Sequence, residues 1–319
     1  MGDRIASLRA VFRGLCALSA LVLSVSAYGA DAAAKPRVAL VMKSLANEFF
    51  QTMQAGATTH QRAHAGEYEL LSTGIKDELD TVGQIRLVEQ MLARRVDALV
   101  IAPADSRALV PVLQTAVSRG VLVINIDNRL DTKALAEKRL NIPFVGPDNR
   151  AGAKLAGDYL AAQLASGAKV AIIEGVPTTV NSQQRTLGFR DAVTAKGLKL
   201  IAVQSGEWEL QKGNTVASAI LRENPDLAAF LCANDSMALG AAAAIKTTGR
   251  SGKVKVVGYD NIPAVKPLLT DGRMLATVDQ FPSQQAVSAI EIALKALANK
   301  TPQANLPASV DTRVSLITR

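Results

Sequence analysis

The stretch VALVMKSLANEFFQ, near the start of the chain, places polar groups directly after an apolar run. The amine of Lys43, the hydroxyl of Ser44 and the amide of Asn47 follow five apolar residues, and the rings of Phe49 and Phe50 come next. Amine and amide groups can hydrogen-bond a polyhydroxylated ligand, while an aromatic ring can pack on its C–H face. The alternative is an ordinary strand-to-helix turn. We expect one ring in the core and the other beside a ligand.

Similar polar groups follow the other apolar runs of the chain. They are Asp127, Asn128 and Arg129, then Glu174, Asn234, Asp235, Tyr259, Asp260, Asn261, Asp279 and Gln280, with the only tryptophan, Trp208, after another such run. Carboxylates and amides can bridge neighbouring hydroxyls, and arginine can donate paired hydrogen bonds. The mixed charges argue against an anionic ligand, and no glycine-rich phosphate motif is present. The residues therefore predict a site for a neutral polyol, although Asp and Asn at such positions can also be helix N-caps.

Other candidate reactive groups indicate neither a metal nor a nucleophile. His60 and His64 lie four residues apart on a polar helix, where a solvated face is favoured over a metal site because no further ligand cluster accompanies them. Cys232 lies in an apolar run and is interpreted as a buried structural thiol. We predict no catalytic residues and no cofactor.

Short apolar runs alternate with helical periodicity from Arg37 onward. The predicted strands are Val38–Met42, Tyr68–Ser72, Ala98–Ala102, Leu122–Ile126, Val170–Glu174, Lys199–Gln204, Ala228–Ala233 and Lys255–Tyr259. Amphipathic helices are predicted from apolar faces such as Phe49, Met53 and Ala57, or Val82, Ile85 and Val88. Continuous apolar strands separated by helices are typical of a doubly wound α/β fold with parallel sheets.

A faint internal repeat divides the chain. One segment runs from an apolar strand through an A-x-D-S turn and a helix to a strand that ends on Asp127, and a second segment repeats this pattern up to Asp260. Two similar α/β lobes are therefore predicted. In open parallel sheets ligands bind beyond the carboxyl ends of the strands, which is where the polar groups stand.

Residues 1–30 combine a basic start, the 13-residue apolar run Leu15–Ala27 and small residues after it. This pattern predicts a cleavable secretory signal peptide, since a membrane anchor would need about 20 apolar residues. Its removal leaves 33 basic and 27 acidic residues, a net charge of +6. The basic residues are scattered, so nucleic-acid binding is not predicted.

Several motifs together resemble periplasmic sugar-binding proteins of ABC importers, specifically the ribose/allose-binding family. They are LANEFF, NIDNR, GDYLA, RTLGF, CANDSMALG, VVGYDNIP and ATVDQFP, in the order and spacing of that family over nearly all of residues 36–319. The resemblance implies two lobes with sugar bound between them. The family's ligand contacts carry over to Lys43, Asn47, Phe49, Phe50, Asp127, Asn128, Arg185, Trp208, Asn234, Asp260 and Gln280, with Tyr259 preceding the cleft aspartate.

Departures from the ribose pattern bear on the ligand. Lys43 and Trp208 resemble the allose branch. Asn128 stands where ribose binders have arginine, and the arginine here comes one residue later, at Arg129. The ligand implied is allose, another aldose or ketose, or a sugar alcohol.

The resemblance also implies a type I periplasmic binding protein with a three-segment hinge. We place one lobe at residues 36–146 and 281–310 and the other at residues 147–280 and 311–319. Sugar would close the hinge, and the monomeric protein in the periplasm would deliver it to an inner-membrane permease. A subunit that delivers ligand to a chemotaxis or signalling receptor is the alternative; a sugar-responsive repressor and a secreted sugar enzyme are weaker ones.

Overall fold

The computed structural model describes residues 34–319, so the predicted signal peptide lies outside the described residues. The strands are β1 Arg37–Ser44, β2 Glu69–Ile75, β3 Ala98–Ile101, β4 Leu122–Ile126, β5 Phe144–Pro147, β6 Lys169–Glu174, β7 Lys199–Ser205, β8 Ala229–Cys232, β9 Lys255–Val257, β10 Thr277–Asp279, β11 Ser309–Thr312 and β12 Ser315–Ile317. The helices are α1 Glu48–Ala63, α2 Thr81–Ala93, α3 Val110–Ser118, α4 Thr132–Glu137, α5 Asn149–Ala161, α6 Val180–Ala195, α7 Leu210–Glu223, α8 Asp235–Thr247, α9 Lys266–Thr270 and α10 Pro282–Ala298.

Two parallel sheets with the same strand topology form the centres of two lobes. The first sheet has the order β11-β5-β4-β3-β1-β2, and the second has the order β7-β6-β8-β9. In each, the first strand lies between the second and the third, with the fourth beyond. The segments β3-α3-β4 and β8-α8-β9 occupy equivalent places, which confirms the internal repeat. The predicted α/β fold with two lobes is therefore confirmed.

The chain passes between the two lobes three times. Strand β5 belongs to the first sheet, whereas α5 packs on α6 and on β9 and β10 of the second lobe. Strand β10 is followed by α10, which packs on α1 and β4 of the first. Strand β11 pairs with β5, and β12 then pairs antiparallel with β10. The predicted boundaries at 146/147 and 310/311 fall inside β5 and β11, and the third falls between β10 and α10.

All eight predicted strands are present, and four short ones were missed. The missed strands, β5, β10, β11 and β12, have three or four residues each. Such runs are too short for a periodic signal, and Gly146 and Pro147 in β5 read as a turn. These four strands lie next to the points where the chain passes from one lobe to the other.

The helical faces follow the prediction in α1 and depart from it in α2. Phe49, Met53 and Ala57 are buried, as expected. Val82 is 59% exposed, so its assignment to the core face was wrong. Gln84 takes the buried position because its amide donates to the carbonyls of Met42 and Ala102 and accepts from the Ala104 N–H. A polar residue with all its hydrogen bonds made can replace an apolar one in a core.

The remaining sequence candidates are structural. His60 is largely buried rather than solvated: its ring stacks on His64 and its Nδ1 lies 2.9 Å from the Tyr68 hydroxyl. Cys232 is fully buried, as predicted, and burial raises the pKa of its thiol. Within residues 34–319, no helix has the length and hydrophobicity needed to span a membrane.

Candidate functional site

The first lobe contributes a buried ion pair at the ends of β1 and β2. Lys43 Nζ lies 2.7 Å from Glu78 Oε2, and both side chains are almost completely buried. The same ammonium lies 5.7 Å from the centre of the Phe50 ring. Asn47 begins α1 as its N-cap, since its Oδ1 accepts from the Phe49 N–H, and its amide nitrogen donates to Glu78 Oε1. These contacts hold the end of β1 and the start of α1 in one rigid corner.

Phe49 and Phe50 are both buried and pack edge to face, with ring centroids 5.0 Å apart. Phe50 faces Lys43, whereas Phe49 lines a 210 Å³ cavity that also reaches Asp260 and Phe281. Both rings therefore belong to the core, and Phe50 is the one that lies beside the ion pair. Which of the two contacts a ligand stays a prediction.

Asp127 follows β4 and is held in a strained conformation. Its φ of 59° is in the left-handed region, which costs about 1–2 kcal/mol for a residue with a Cβ. The side chain is buried, and its Oδ2 has no hydrogen-bond donor among the described residues. Burial raises the pKa of this carboxyl, while Lys43 and Arg185 act in the opposite direction. Asp127 thus has a buried acceptor without a hydrogen bond that is close enough to Lys43 and Arg185 for both cations to act on its pKa.

Arg185 is the central cation of the second lobe. It is 2% exposed and is fixed by hydrogen bonds from Nε to Asn149 Oδ1 (2.7 Å) and from Nη1 to the Ala233 carbonyl (2.9 Å). Nη1 also lies 3.4 Å from Asp260 Oδ1. The guanidinium lies 3.8 Å from the centre of the Tyr259 ring, while Nη2 has no acceptor within residues 34–319.

Asp260, the counterpart of Asp127 in the repeat, is also strained and buried. Its φ is 112°, and its Oδ1 accepts from Gln280 Nε2 at 2.7 Å. Burial raises the pKa of Asp260 to about 7, although Arg185 opposes the shift. Gln280 lies between β10 and α10, where the chain makes its second crossing between the lobes, so the residue that orients this carboxylate stands at a crossing.

Trp208 is buried, and its position depends on close backbone packing. Its φ is 67°, and the indole lies so close to Gly175 that a Cβ there would overlap it. Asn234 caps α8 through Met237 N–H and donates to the Trp208 carbonyl at 3.1 Å. The indole Nε1 has no acceptor in the part of the chain that the structure describes. Asn234 therefore positions the ring whose N–H remains available.

The two halves meet around one point. Lys43 Nζ of the first lobe lies 5.1 Å from the centre of the Trp208 ring, and the Arg185 guanidinium lies 5.5 Å from the same ring. The buried polar atoms that have no partner among residues 34–319 include Asp127 Oδ2, Arg185 Nη2 and Trp208 Nε1. Buried polar groups are nearly always hydrogen-bonded, so one acceptor and two donors together indicate a ligand that can both donate and accept.

Asn128, Tyr259 and Arg129 are oriented by other contacts. Asn128 Oδ1 accepts from Ser106 Oγ and from the Asn181 N–H, and its amide nitrogen donates to a backbone carbonyl. The Tyr259 ring supports Arg185, and its hydroxyl lies against helix α5. Arg129 stacks on the Phe144 ring at 4.1 Å, beside a 480 Å³ cavity at the crossings.

Two residues of the site were missed from the sequence. Glu78 stands in GIKDELD after β2, where the strand-end rule could have found it, but the acidic run reads as the cap of α2. Asn149 follows β5, a strand that was itself missed. Each fixes a cation: Glu78 pairs with Lys43, and Asn149 bonds Arg185.

The buried carboxylates predict an unusual pH dependence of stability. Burial raises the pKa of Asp127, Asp235 and Asp260 above their values in an unfolded chain. The native state therefore retains protons that the unfolded state releases, so the contribution of these groups to stability is greatest at low pH and is lost as pH rises through the native pKa, about 7 for Asp260. We expect the melting temperature of the sugar-free protein to fall between pH 5 and pH 8.

Asp260→Asn separates this effect from other titrations. The amide cannot ionise, so the fall in melting temperature between pH 5 and pH 8 should be smaller in this variant than in the wild type. A melting temperature that stays constant or rises with pH in the wild type would contradict the prediction.

Comparison with known proteins identifies the family of this chain. A family model described as "periplasmic binding protein domain" matches residues 38–301. The D-ribose/D-allose-binding protein of Pseudomonas aeruginosa is 57% identical over 315 residues, which is 99% of this chain and 99% of that protein.

Solved structures give the same result. A solute-binding protein of an ABC transporter from Burkholderia multivorans superposes with a TM-score of 0.88 at 59% identity, and the match covers 90% of this chain and 100% of that chain. The ligand in that structure is unknown and was built as α-D-erythrofuranose. A periplasmic solute-binding protein of an ABC transporter from Actinobacillus succinogenes, with bound D-allose, gives 0.83 at 36% identity, covering 89% and 98%. Because the family model matches residues 38–301 and a relative is 57% identical over 99% of the chain, this chain belongs to the periplasmic binding protein family.

Proposed function

We propose that this protein is the solute-binding component of an ABC importer and binds a neutral monosaccharide or sugar alcohol between its lobes. The observation that carries the proposal is that three atoms of the predicted site residues, Asp127 Oδ2, Arg185 Nη2 and Trp208 Nε1, are buried without a partner among the described residues. A sugar hydroxyl both donates and accepts, so neighbouring hydroxyls can satisfy all three. Phe50 and Trp208 supply apolar walls for the C–H faces of a sugar ring.

The charges of the site favour a neutral ligand. Two cations, Lys43 and Arg185, stand among three carboxylates, Glu78, Asp127 and Asp260, and Asp260 is partly protonated near neutral pH because its pKa is about 7. The cluster is therefore close to neutral, and an added anion would be buried without a cation of its own. The Pseudomonas aeruginosa relative is named for binding D-ribose and D-allose, and the Actinobacillus succinogenes protein has bound D-allose, so these are the first ligands that we propose for this chain.

The wider role follows from the same relatives. The Burkholderia multivorans and Actinobacillus succinogenes proteins are solute-binding proteins of ABC transporters, which supports uptake through a membrane permease over delivery to a signalling receptor. We further propose that the protein acts by binding without chemical conversion, as a monomer in the periplasm, after removal of residues 1–30. The hinge boundaries at 146/147, 280/281 and 310/311 belong to this proposal.

Calorimetric titration of the purified mature chain tests the ligand. We expect D-allose or D-ribose to bind and to raise the melting temperature, because a ligand specific for the native state must stabilise it. D-gluconate, a sugar acid of similar size, should not bind. A chain that bound the anion and neither neutral sugar would refute the proposal.

A glycine substitution links binding to this particular site. Gly175→Ala adds a methyl group that overlaps the Trp208 indole and must displace it, so we expect at least about a tenfold loss of affinity. Gly66→Ala is the matched control, because the added methyl group meets no atom within 4 Å. Equal affinities of the two variants would place the sugar elsewhere.

A further inference from the structure

Two sets of hydrogen bonds join protein groups of one lobe directly to protein groups of the other, without a sugar between them. In the first, Ser106 Oγ accepts from the Val180 N–H at 3.0 Å and Asn128 Oδ1 accepts from the Asn181 N–H at 3.3 Å. In the second, Glu48 Oε2 accepts from the Ala264 N–H at 3.0 Å. All three acceptors belong to the first lobe and all three donors are backbone groups of the second.

Two of the three first-lobe acceptors, Ser106 and Asn128, are held in place by contacts within their own lobe. Ser106 and Asn128 are buried and bonded to each other, since Ser106 Oγ donates to Asn128 Oδ1 at 3.2 Å. Asn128 Nδ2 donates to the Pro103 carbonyl, and Asn125 Nδ2 donates to the Asn128 carbonyl at 2.8 Å. The pair is therefore rigid, and little side-chain entropy is lost when it meets the second lobe.

The second lobe offers these amides without a local acceptor. Val180 and Asn181 are the first residues of α6, and the preceding Thr179 makes no side-chain cap; its hydroxyl donates to the Val176 carbonyl instead. Ala264 likewise lies in a short helix, Pro263–Val265, whose N-cap residue Ile262 has no polar side chain that could accept from it. Free N–H groups at such positions need an acceptor from elsewhere. Here the other lobe supplies it.

Both sets of hydrogen bonds stand next to residues that we predict to bind sugar. Asn128 follows Asp127, and Glu48 lies between Asn47 and Phe49. On the second lobe, Arg185 lies one helical turn beyond Asn181, and Ala264 lies four residues beyond Asp260. Closure that forms these bonds therefore brings the sugar-facing groups together as well.

We propose that Ser106, Asn128 and Glu48 form an interlobe latch that sets the closed population and so tunes affinity without contact between these side chains and the sugar. The latch rests on the proposed function, because it acts on the same closure. It gives Asn128 a different role from the ligand contact predicted from the sequence, since both polar atoms of its side chain are already engaged. Measured affinity scales with the population of the closed state. Removing one closed-state hydrogen bond should therefore weaken binding about 2- to 12-fold.

Ser106→Ala and Glu48→Ala remove one acceptor each. We expect each to weaken binding of D-allose or D-ribose by about that factor, mainly through faster dissociation. Glu48→Gln keeps a carbonyl oxygen and should restore near-normal affinity. Ser118→Ala is the control, because its hydroxyl only donates to Gln114 within α3 on the surface of the first lobe.

Amide hydrogen exchange distinguishes a latch from local hydrogen bonds. If both sets depend on one closure, Ser106→Ala should accelerate exchange at Ala264, and Glu48→Ala should accelerate exchange at Val180 and Asn181. We expect this in the sugar-free chain as well, because these bonds involve protein groups alone.

Variants that alter exchange only at their own contact, or that bind sugar with unchanged affinity, would overturn the latch. If the wild-type chain bound neither sugar, the proposed ligand would be wrong, and cross-lobe exchange in the sugar-free variants would still decide the latch. Should Ser106→Ala fail to fold, Glu48→Ala provides the same test from the partly exposed side of the cleft.

Discussion

Arg185→Met is expected to lower affinity for the sugar by at least about 100-fold and to destabilise the protein by about 3–5 kcal/mol. The substitution removes the hydrogen bonds to Asn149 and to the Ala233 carbonyl and leaves Asp260 without its buried cation. It also removes Nη2, which we expect to donate to a sugar hydroxyl. Titration calorimetry and chemical denaturation measure the two effects separately.

The loss of stability should depend on pH. Arg185 lowers the pKa of Asp260, so without it the carboxyl will be protonated over a wider range. A neutral carboxyl needs no counter-charge, and the cost of the substitution should therefore be smaller at pH 5.5 than at pH 8. This dependence separates a lost charge partner from a simple packing defect, which would cost the same at both pH values.

Arg190→Met on the same helix is the matched control. Arg190 is exposed, so we expect its loss to change stability by less than about 0.5 kcal/mol and to leave affinity unchanged. If Arg185→Met bound sugar within threefold of the wild type, Arg185 would be a structural residue and the assigned centre of the site would be wrong.

Much of the site could be predicted because chemistry and topology point to the same residues. Asp127 and Asp260 end equivalent strands of the repeat, and a parallel sheet brings such ends to one edge. The structure adds that both have positive φ, a feature that no sequence pattern for Asp reveals. Neither aspartate caps the next α-helix, since the N-cap residues there are Asp131 and Val265.

The rest depends on contacts between distant segments. Asn149 bonds Arg185 across 36 residues, and the Ser106 hydroxyl meets Val180 across 74. Local periodicity carries no information on such pairs, and a Gly-Pro strand such as β5 does not register as a strand at all. Gln84 shows the same limit in the core, where it is buried because three backbone groups satisfy its amide.

The second large effect concerns Lys43 and Glu78. Lys43→Met and Glu78→Gln should each destabilise the protein by about 3–5 kcal/mol, because each leaves a buried charge without its partner 2.7 Å away. The double variant should recover most of that loss, since neither member of the pair is left as an unpaired charge and the glutamine can still accept from the Asn47 amide. Denaturant unfolding of all four proteins gives the coupling energy, which we expect to exceed about 2 kcal/mol.

An exposed ion pair provides the comparison for this cycle. Lys154 and Asp158 lie 2.6 Å apart on α5 but remain 43% and 47% exposed, so their coupling should be below about 0.5 kcal/mol. A similarly small coupling for Lys43 and Glu78 would mean that water reaches the ion pair and screens it, so that the end of β1 and the start of α1 do not exclude solvent.

Sugar binding by the double variant then isolates the role of Lys43. The ammonium lies beside the rings of Phe50 and Trp208, where it is the cation that the first lobe contributes to the cluster. If the Lys43 ammonium donates to the ligand, the folded double variant should still lose affinity about 10- to 100-fold, because an ionic hydrogen bond is gone while the fold is intact. If instead the double variant bound D-allose and D-ribose like the wild type, Lys43 would serve only to neutralise Glu78, and the resemblance to allose binders at this position would say nothing about the ligand.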